Sequence, residues 1–151
     1  MTEAGELLPP FHLPDQDGEQ VVSDSLRGRW YLMYWYPKAD TPGCTAQAEG
    51  LRDQMEAFAE LNCVVLGASF DHPDSNQAFR QKYGLNFQLL SDTDHSVAVN
   101  HGAAQDLAAV SPVRIAHLVG PDGVVVRHYR VESPEFFAEA VLDDLEVATP
   151  E

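Results

Sequence analysis

The chain has 151 residues, of which 44% are hydrophobic and 22% are charged; this composition is typical of a globular protein and excludes a disordered or fibrous chain. Nine Lys and Arg residues against 24 Asp and Glu residues give a formal net charge of −15, so we expect no nucleic-acid partner and no binding to an anionic membrane, since both need a basic face. The sequence has neither the ~20-residue apolar run that a bilayer requires nor a secretory signal at its start, so we expect one domain over 1–151, located in the cytoplasm.

Strands and helices alternate along the predicted chain, because continuous apolar runs indicate buried strands and helix-spaced apolar stripes indicate helices. The first half of the chain is predicted to form an extended arm over 5–18, strands over 20–22 and 30–36, a helix over 41–61 and a strand over 63–70. A helix over 71–83, ended by Gly84, a short strand over 87–90 and a helical turn over 96–101 follow. The last predicted elements are strands over 114–119 and 124–129, joined by a Pro121-Asp122-Gly123 turn, and a helix over 135–145. This order predicts an α/β fold, a thioredoxin-like sandwich with a mixed central sheet flanked by helices and an N-terminal extension.

One connection in this order carries candidate chemistry, the segment from Pro37 to Thr45 between a buried strand and a helix. Cys44 falls in the first helical turn, where unpaired backbone N–H groups and the helix dipole favour the thiolate, the nucleophilic form of cysteine. Thr41 is a favourable N-cap and offers a hydroxyl nearby, and Gly43 is expected to leave the approach to the sulfur open. From position alone, a nucleophilic Cys44 and a small buried hydrophobic Cys44 are equally good interpretations.

The pattern Pro37-x-x-x-Thr41-x-x-Cys44 matches the signature of the peroxiredoxins, and the chain resembles that family. The fuller segment Tyr36 to Thr45 is similar to the bacterioferritin comigratory protein (PrxQ) subfamily. The similarity extends over nearly the whole chain, through Phe11 to Gly18, Tyr83 to Asp92, and Arg114 ahead of Gly120-Pro121-Asp122-Gly123.

The resemblance implies a thiol-dependent peroxidase that reduces hydrogen peroxide and organic hydroperoxides, with Cys44 attacking the O–O bond and becoming a sulfenic acid. It implies that Thr41 hydrogen-bonds the peroxide, that Pro37 shields the sulfur, and that Arg114 keeps the thiolate charged and stabilises the leaving oxygen. The catalytic residues are thus expected to be Cys44, Thr41, Arg114 and Pro37, and the substrate-binding residues Thr41, Gly43, Cys44 and Arg114. The alternative interpretation of Arg114 is a surface cation near a strand end, and it is the family resemblance that favours the inward role.

Neither a cofactor nor a metal is expected, since the six histidines are scattered along the sequence. The implied partners are a peroxide and a thiol reductant such as thioredoxin, glutaredoxin or a small thiol, with the chain as a monomer or homodimer. Two other functions compete with this one. A thioredoxin-type disulfide reductase lacks its Cys-x-x-Cys motif here, and a redox sensor or binding module would oxidise Cys44 without turnover.

Two positions depart from the subfamily pattern. Many members have a Glu and a resolving Cys three and five residues after the reactive cysteine, where this chain has Gln47 and Glu49. A continuous helix of about eighteen residues at ~1.5 Å each would place Cys63, the other cysteine, ~27 Å along from Cys44, whereas a disulfide needs Cα atoms within ~7 Å. We therefore expect no resolving cysteine and a one-cysteine mechanism with an external thiol.

Overall fold

The protein, represented by a computed structural model, is described over residues 3–148. In chain order its elements are β1 (His12–Pro14), β2 (Gln20–Val22), a short 3-10 helix (Ser23–Leu26), β3 (Trp30–Trp35), α1 (Pro42–Asp53), α2 (Met55–Glu60), β4 (Cys63–Ser69), α3 (Pro73–Tyr83), β5 (Gln88–Ser91), α4 (Ser96–His101), β6 (Ile115–Val119), β7 (Val125–Arg130), a second 3-10 helix (Pro134–Phe136) and α5 (Phe137–Ala148). None of the helices in this range is long and apolar enough to cross a membrane.

A five-stranded sheet in the order β5-β4-β3-β6-β7 forms the centre of the molecule. Strands β3, β4 and β5 run parallel, whereas β6 pairs antiparallel with β3, and β7 antiparallel with β6. Strands β1 and β2 form a separate antiparallel pair within the N-terminal extension. The predicted thioredoxin-like architecture, a mixed sheet flanked by helices, is confirmed.

Side chains of β3 alternate between two hydrophobic cores, one on each face of the sheet. Leu32 and Tyr34 lie in the core that α1, α2, α3 and α5 cover. Met33 and Trp35 lie in the other core, which α4 and the β1–β2 pair cover. Because both faces of β3 are buried, its sequence is a continuous apolar run rather than an alternation of apolar and polar residues.

The prediction of one continuous helix over 41–61 is wrong. Two helices occupy this range, separated at Gln54, whose backbone angles (φ −105°, ψ 8°) leave the helical region. The Gln54 N–H donates to the Leu51 carbonyl at 3.2 Å, a tighter turn than the α-helical one. The apolar stripe through Leu51, Met55 and Phe58 continues across this break, which is why spacing alone does not show it.

The boundaries of β2 and α4 coincide with the prediction, and the other boundaries differ from it by a few residues. The helix predicted from residue 71 begins at Pro73 and ends at Tyr83, and Gly84 follows it in the left-handed conformation, as expected of a glycine C-cap. The last helix is preceded by the 3-10 turn Pro134–Phe136 and has no side-chain cap from Ser133. The strand β1 lies within the segment predicted only as an extended arm.

Strand directions bring distant segments to one edge of the sheet. The carboxyl ends of β3, β4 and β5 meet there, as parallel strands do. Because β6 is antiparallel to β3, with Ala116 opposite Tyr34, the residues just before β6 reach the same edge. The end of β7 follows, with Arg130 opposite Ile115. Cys44 and Arg114, 70 positions apart in the sequence, are thus neighbours.

Candidate active site

Cys44 lies in the first turn of α1, with 1% of its surface exposed. It packs into the core that Tyr34, Tyr36 and Ala48 share, so its sulfur is enclosed by apolar side chains on one side. Burial of this degree keeps bulk solvent away from the sulfur.

Arg114 supplies the positive charge at this sulfur. Its Nη2 donates to the Cys44 Sγ at 3.5 Å, and its Nη1 donates to the Gln47 Oε1 at 2.8 Å. Gln47 is fully buried and lies one turn after Cys44, so both residues face the guanidinium from the same side of α1. Because Gln47 is neutral, it holds Arg114 in place without neutralising its charge.

The structure gives Gly43 a different role from the one expected. A Cβ at Gly43 would lie 3.0 Å from Arg114 Nη2 and 3.7 Å from Arg114 Cζ. The space beside Gly43 is therefore filled by the guanidinium rather than left open as an approach to the sulfur. Glycine at this position lets Arg114 come close to the first turn of α1.

Thr41 is the N-cap residue of α1 by its extended backbone (φ −103°, ψ 156°), but its side chain does not cap the helix. Its hydroxyl instead donates to the Lys38 carbonyl at 2.8 Å. The hydroxyl oxygen keeps its lone pairs for a further hydrogen bond. Pro37, half-buried, directly follows the last buried residue of the β3 run, Tyr36.

Two aspartates anchor the loop that carries Pro37 and Thr41. Asp71 accepts from the Ala39 N–H at 2.9 Å and from the Ser69 hydroxyl at 2.8 Å. Asp40, in the left-handed conformation (φ 61°), accepts from the Tyr83 hydroxyl at 2.5 Å and from Lys82 Nζ at 2.9 Å.

Sequence analysis missed these anchors. A signal existed for Asp71, since it follows β4 closely at the edge where the parallel strands end. For Asp40 there was none, because its partners come from the far end of α3.

The floor of the site is polar but uncharged. The Tyr36 hydroxyl donates to Asn76 Oδ1 at 2.6 Å, and Asn76 Nδ2 donates to Ser91 Oγ at 3.0 Å, which links the residue that follows β3 to α3 and β5. Burial raises the pKa of Tyr34 and of Tyr36, so both phenols stay protonated at neutral pH. No competing anion therefore comes from these two aromatic neighbours of Cys44.

Cys63 lies at the opposite edge of the sheet. It opens β4 and pairs with Trp30, the first residue of β3, whereas Cys44 follows the end of β3. The six residues of β3, at ~3.3 Å each, separate the two edges by ~20 Å. Burial also raises the pKa of Cys63 to about 12, so this thiol is protonated and unreactive at neutral pH.

The arrangement at Cys44 suits nucleophilic chemistry. The guanidinium that donates to the Cys44 sulfur at 3.5 Å can also stabilise an oxyanion that forms next to that sulfur. Within residues 3–148, no three His, Cys, Asp or Glu side chains are grouped so that they could hold a metal ion.

The sequence is similar to those of known proteins. The sequence profile of the AhpC/TSA family matches residues 4–128. The chain is 44% identical over 128 residues to Peroxiredoxin Bcp of Escherichia coli (strain K12), covering 82% of each chain. It is 40% identical over 121 residues to the chloroplastic Peroxiredoxin Q of Suaeda salsa, covering 80% of this chain and 56% of that one.

The fold is also similar to those of solved structures. Peroxidoxin BcpB from Mycobacterium tuberculosis superposes with a TM-score of 0.91 at 28% identity, covering 97% of this chain and 98% of the other. Peroxiredoxin Q from Xanthomonas campestris superposes with a TM-score of 0.88 at 28% identity, covering 99% and 100%.

Proposed function

Because the chain belongs to the AhpC/TSA family and is a peroxiredoxin of the Bcp/PrxQ subfamily, a thiol-dependent peroxidase, we propose that Cys44 is its peroxidatic residue and acts by a one-cysteine mechanism. The observation that carries this proposal is the contact of Arg114 Nη2 with the Cys44 Sγ at 3.5 Å. The proposed substrates are hydrogen peroxide and organic hydroperoxides, which membership of the peroxiredoxins supports.

In the oxidation step, the Cys44 thiolate attacks the terminal oxygen of the peroxide. An S–O bond forms as the O–O bond breaks, Cys44 is oxidised to a sulfenic acid, and the leaving oxygen takes a proton and departs as water or an alcohol. Arg114 stabilises first the thiolate and then the charge on the leaving oxygen. The Thr41 hydroxyl accepts a hydrogen bond from the peroxide O–H, and Pro37 keeps water from the sulfur.

In the return step, an external thiol must attack the oxidised sulfur. Glu49 occupies the position of the local resolving cysteine, with its side chain 43% exposed and 3.7 Å from Arg52. Cys63 is buried at the other edge of the sheet. The first external thiol forms a mixed disulfide with Cys44 and releases water, and a second thiol releases the reduced Cys44 and an external disulfide.

Turnover of two serine variants tests the proposal. With hydrogen peroxide and a small thiol in excess, Cys63→Ser is expected to keep the wild-type rate of peroxide consumption, because Cys63 takes part in neither step. Cys44→Ser is expected to consume no peroxide above the rate of the thiol alone. A Cys63→Ser variant that is oxidised at Cys44 but fails to turn over would contradict the one-cysteine mechanism.

A further inference from the structure

Exposed apolar side chains gather at the active-site edge of the sheet. The described residues expose seven large apolar side chains, and three of these seven lie in the loop over 104–113, which joins α4 to β6. A fourth lies in the 3-10 helix that precedes α5. Single apolar residues are ordinary on a protein surface, whereas a group of them marks a site of interaction. The four side chains are those of Leu107, Val110, Val113 and Phe136.

The loop over 104–113 borders the loop that carries the active site. Val110, which is 95% exposed, shares a cavity of about 440 Å³ with Pro37. The Leu107 carbonyl oxygen lies 2.9 Å from Nδ1 of His95, just ahead of α4, and this contact holds the loop at the edge where β5 ends. Because almost all of the Val110 side chain is in solvent, the surface of another protein can cover it, whereas a molecule held in the cavity cannot.

Phe136 reaches the same edge from another part of the chain. Pro134 packs on the first turn of α1, where a Cβ at Gly43 would lie 3.9 Å from the Pro134 Cγ. Val113 and Arg130 line a cavity of about 640 Å³ beside β6 and β7, and Arg130 and Phe136 line an adjoining cavity of about 190 Å³. Two segments far apart in the sequence thus bring apolar surface to the turn that carries the reactive cysteine.

The charge at this surface differs from that of the whole chain. The chain has 24 acidic and nine basic residues, whereas three cations and two acids line the three cavities. The loop over 104–113 has a single charged residue, Asp106. A charge-poor apolar surface among cations fits an acidic protein, whereas two copies of a chain with a net charge of −15 repel each other. The five lining residues are Lys38, Arg114, Arg130, Asp71 and Glu132.

We propose that this surface docks the thiol reductant, and that the reductant is an acidic protein with two thiols. This inference rests on the proposed one-cysteine function, in which each turnover consumes two external thiols. Because Cys44 is 1% exposed, the first turn of α1 has to open before a protein thiol can reach the sulfur, and a partner docked beside that turn is then in place. The first thiol of the partner forms an S–S bond with the oxidised Cys44 as water leaves. Its second thiol breaks this bond, which leaves reduced Cys44 and a disulfide in the partner.

Turnover with two reductants tests the proposal. One is a thioredoxin of negative net charge, regenerated by its reductase and NADPH, and the other is dithiothreitol, a small neutral dithiol. Val110→Gln and Arg130→Gln change the docking surface, and neither residue belongs to the proposed catalytic residues. The matched controls are Val147→Gln, an exposed valine near the end of α5, and Arg127→Gln, an exposed cation on β7 that lines none of the three cavities.

The measured quantity is kcat/KM for the reductant at saturating hydrogen peroxide. We expect Val110→Gln to lower the value for thioredoxin about fivefold, as loss of a contributing interface side chain does. We expect Arg130→Gln to lower it about threefold at low ionic strength and less as salt is added, because salt screens exposed charges. Both variants should keep the value for dithiothreitol within twofold, and both controls should keep both values within twofold.

Four outcomes would overturn the inference. Wild-type values with thioredoxin for both variants would remove this surface from the interface, and equal losses with the two reductants would show that the variants disturb Cys44 instead. A dimer in sedimentation that Val110→Gln abolishes would assign the surface to a second copy of the chain. Turnover with dithiothreitol but not with thioredoxin would exclude an acidic protein dithiol and leave the one-cysteine function intact.

Discussion

The guanidinium of Arg114 lies between two side chains of α1, with one nitrogen on the Cys44 sulfur and another on Gln47. The sequence motif pointed to Cys44, and resemblance pointed to Arg114. The contact with Gln47 spans 67 positions and depends on how β6 pairs with β3, so no local pattern could show it. The same holds for Gly43, whose missing side chain matters because Arg114 occupies that space.

We predict that Arg114→Met slows the oxidation of Cys44 by peroxide. Met keeps much of the aliphatic stem but removes the charged donor, and loss of one donor at a developing oxyanion costs ~10²–10³ in rate. Stopped-flow mixing with hydrogen peroxide measures the second-order rate constant. Arg127→Met, an exposed cation change on β7, serves as the control and should be unaffected. A rate for Arg114→Met within threefold of wild type would remove Arg114 from the proposed mechanism.

Packing between neighbouring strands shapes the floor of the site. Gly67 in β4 lies opposite Tyr34 of β3 and Leu89 of β5. A Cβ there would lie 2.9 Å from Leu89 Cδ2 and 3.1 Å from the Tyr34 hydroxyl oxygen, closer than side chains normally approach. The glycine thus makes room for the aromatic ring that packs beside Cys44.

We predict that Gly67→Ala destabilises the protein by about 1–3 kcal/mol, the typical cost of overpacking a core. The matched variant is Gly50→Ala within α1, where a Cβ would make an ordinary 3.7 Å contact with the Glu135 carbonyl oxygen. That variant should be neutral or more stable by up to ~1 kcal/mol, because alanine is the better helix former. Guanidinium unfolding measures both, and equal stabilities of the two variants would contradict the packing argument.

Element prediction succeeded where one local signal was decisive. The buried strands β3 and β4 and the glycine-terminated helix α3 carry such signals, and their positions agree within one or two residues. It failed at Gln54, where the apolar stripe is continuous although the backbone is not. It also missed the anchoring of the active-site loop by Asp40, because the partners of Asp40 come from the far end of α3 and no local pattern indicates them.

The molecule as a whole has two cores, and the one away from Cys44 contains a buried histidine. His101 is fully buried between Phe11 and Trp35, with ring centroids at 5.9 and 6.0 Å, and its Nε2 lies 2.8 Å from the Pro9 carbonyl oxygen. Burial lowers the pKa of His101 to about 4 from its ordinary 6.5. This histidine therefore ties the N-terminal extension to α4 in its neutral form.

We predict from this that the free energy of unfolding falls as the pH is lowered from 6.5 to 4. Between pH 6.5 and pH 4 the unfolded chain binds a proton at His101 that the folded chain does not bind. The contribution of His101 to the free energy of unfolding is therefore complete above pH 6.5 and is lost as the pH is lowered. A pKa shift of this size corresponds to a change of about 3 kcal/mol in the free energy of unfolding. Replacing His101 with Gln should flatten this part of the pH profile, whereas His12→Gln, at an exposed position, should not. Identical profiles for wild type and His101→Gln would contradict the assignment.

Intact-protein mass spectrometry after one equivalent of hydrogen peroxide, without reductant, shows whether Cys44 is oxidised and whether it has a partner thiol within the chain. We expect a gain of one oxygen atom, located at Cys44 by peptide mapping, and a second oxygen with excess peroxide. Cys63→Ser should gain the same masses, allowing for the substitution. A loss of two hydrogen atoms, with Cys44 and Cys63 joined in one peptide pair, would show that Cys63 resolves Cys44 and would rule out the one-cysteine mechanism.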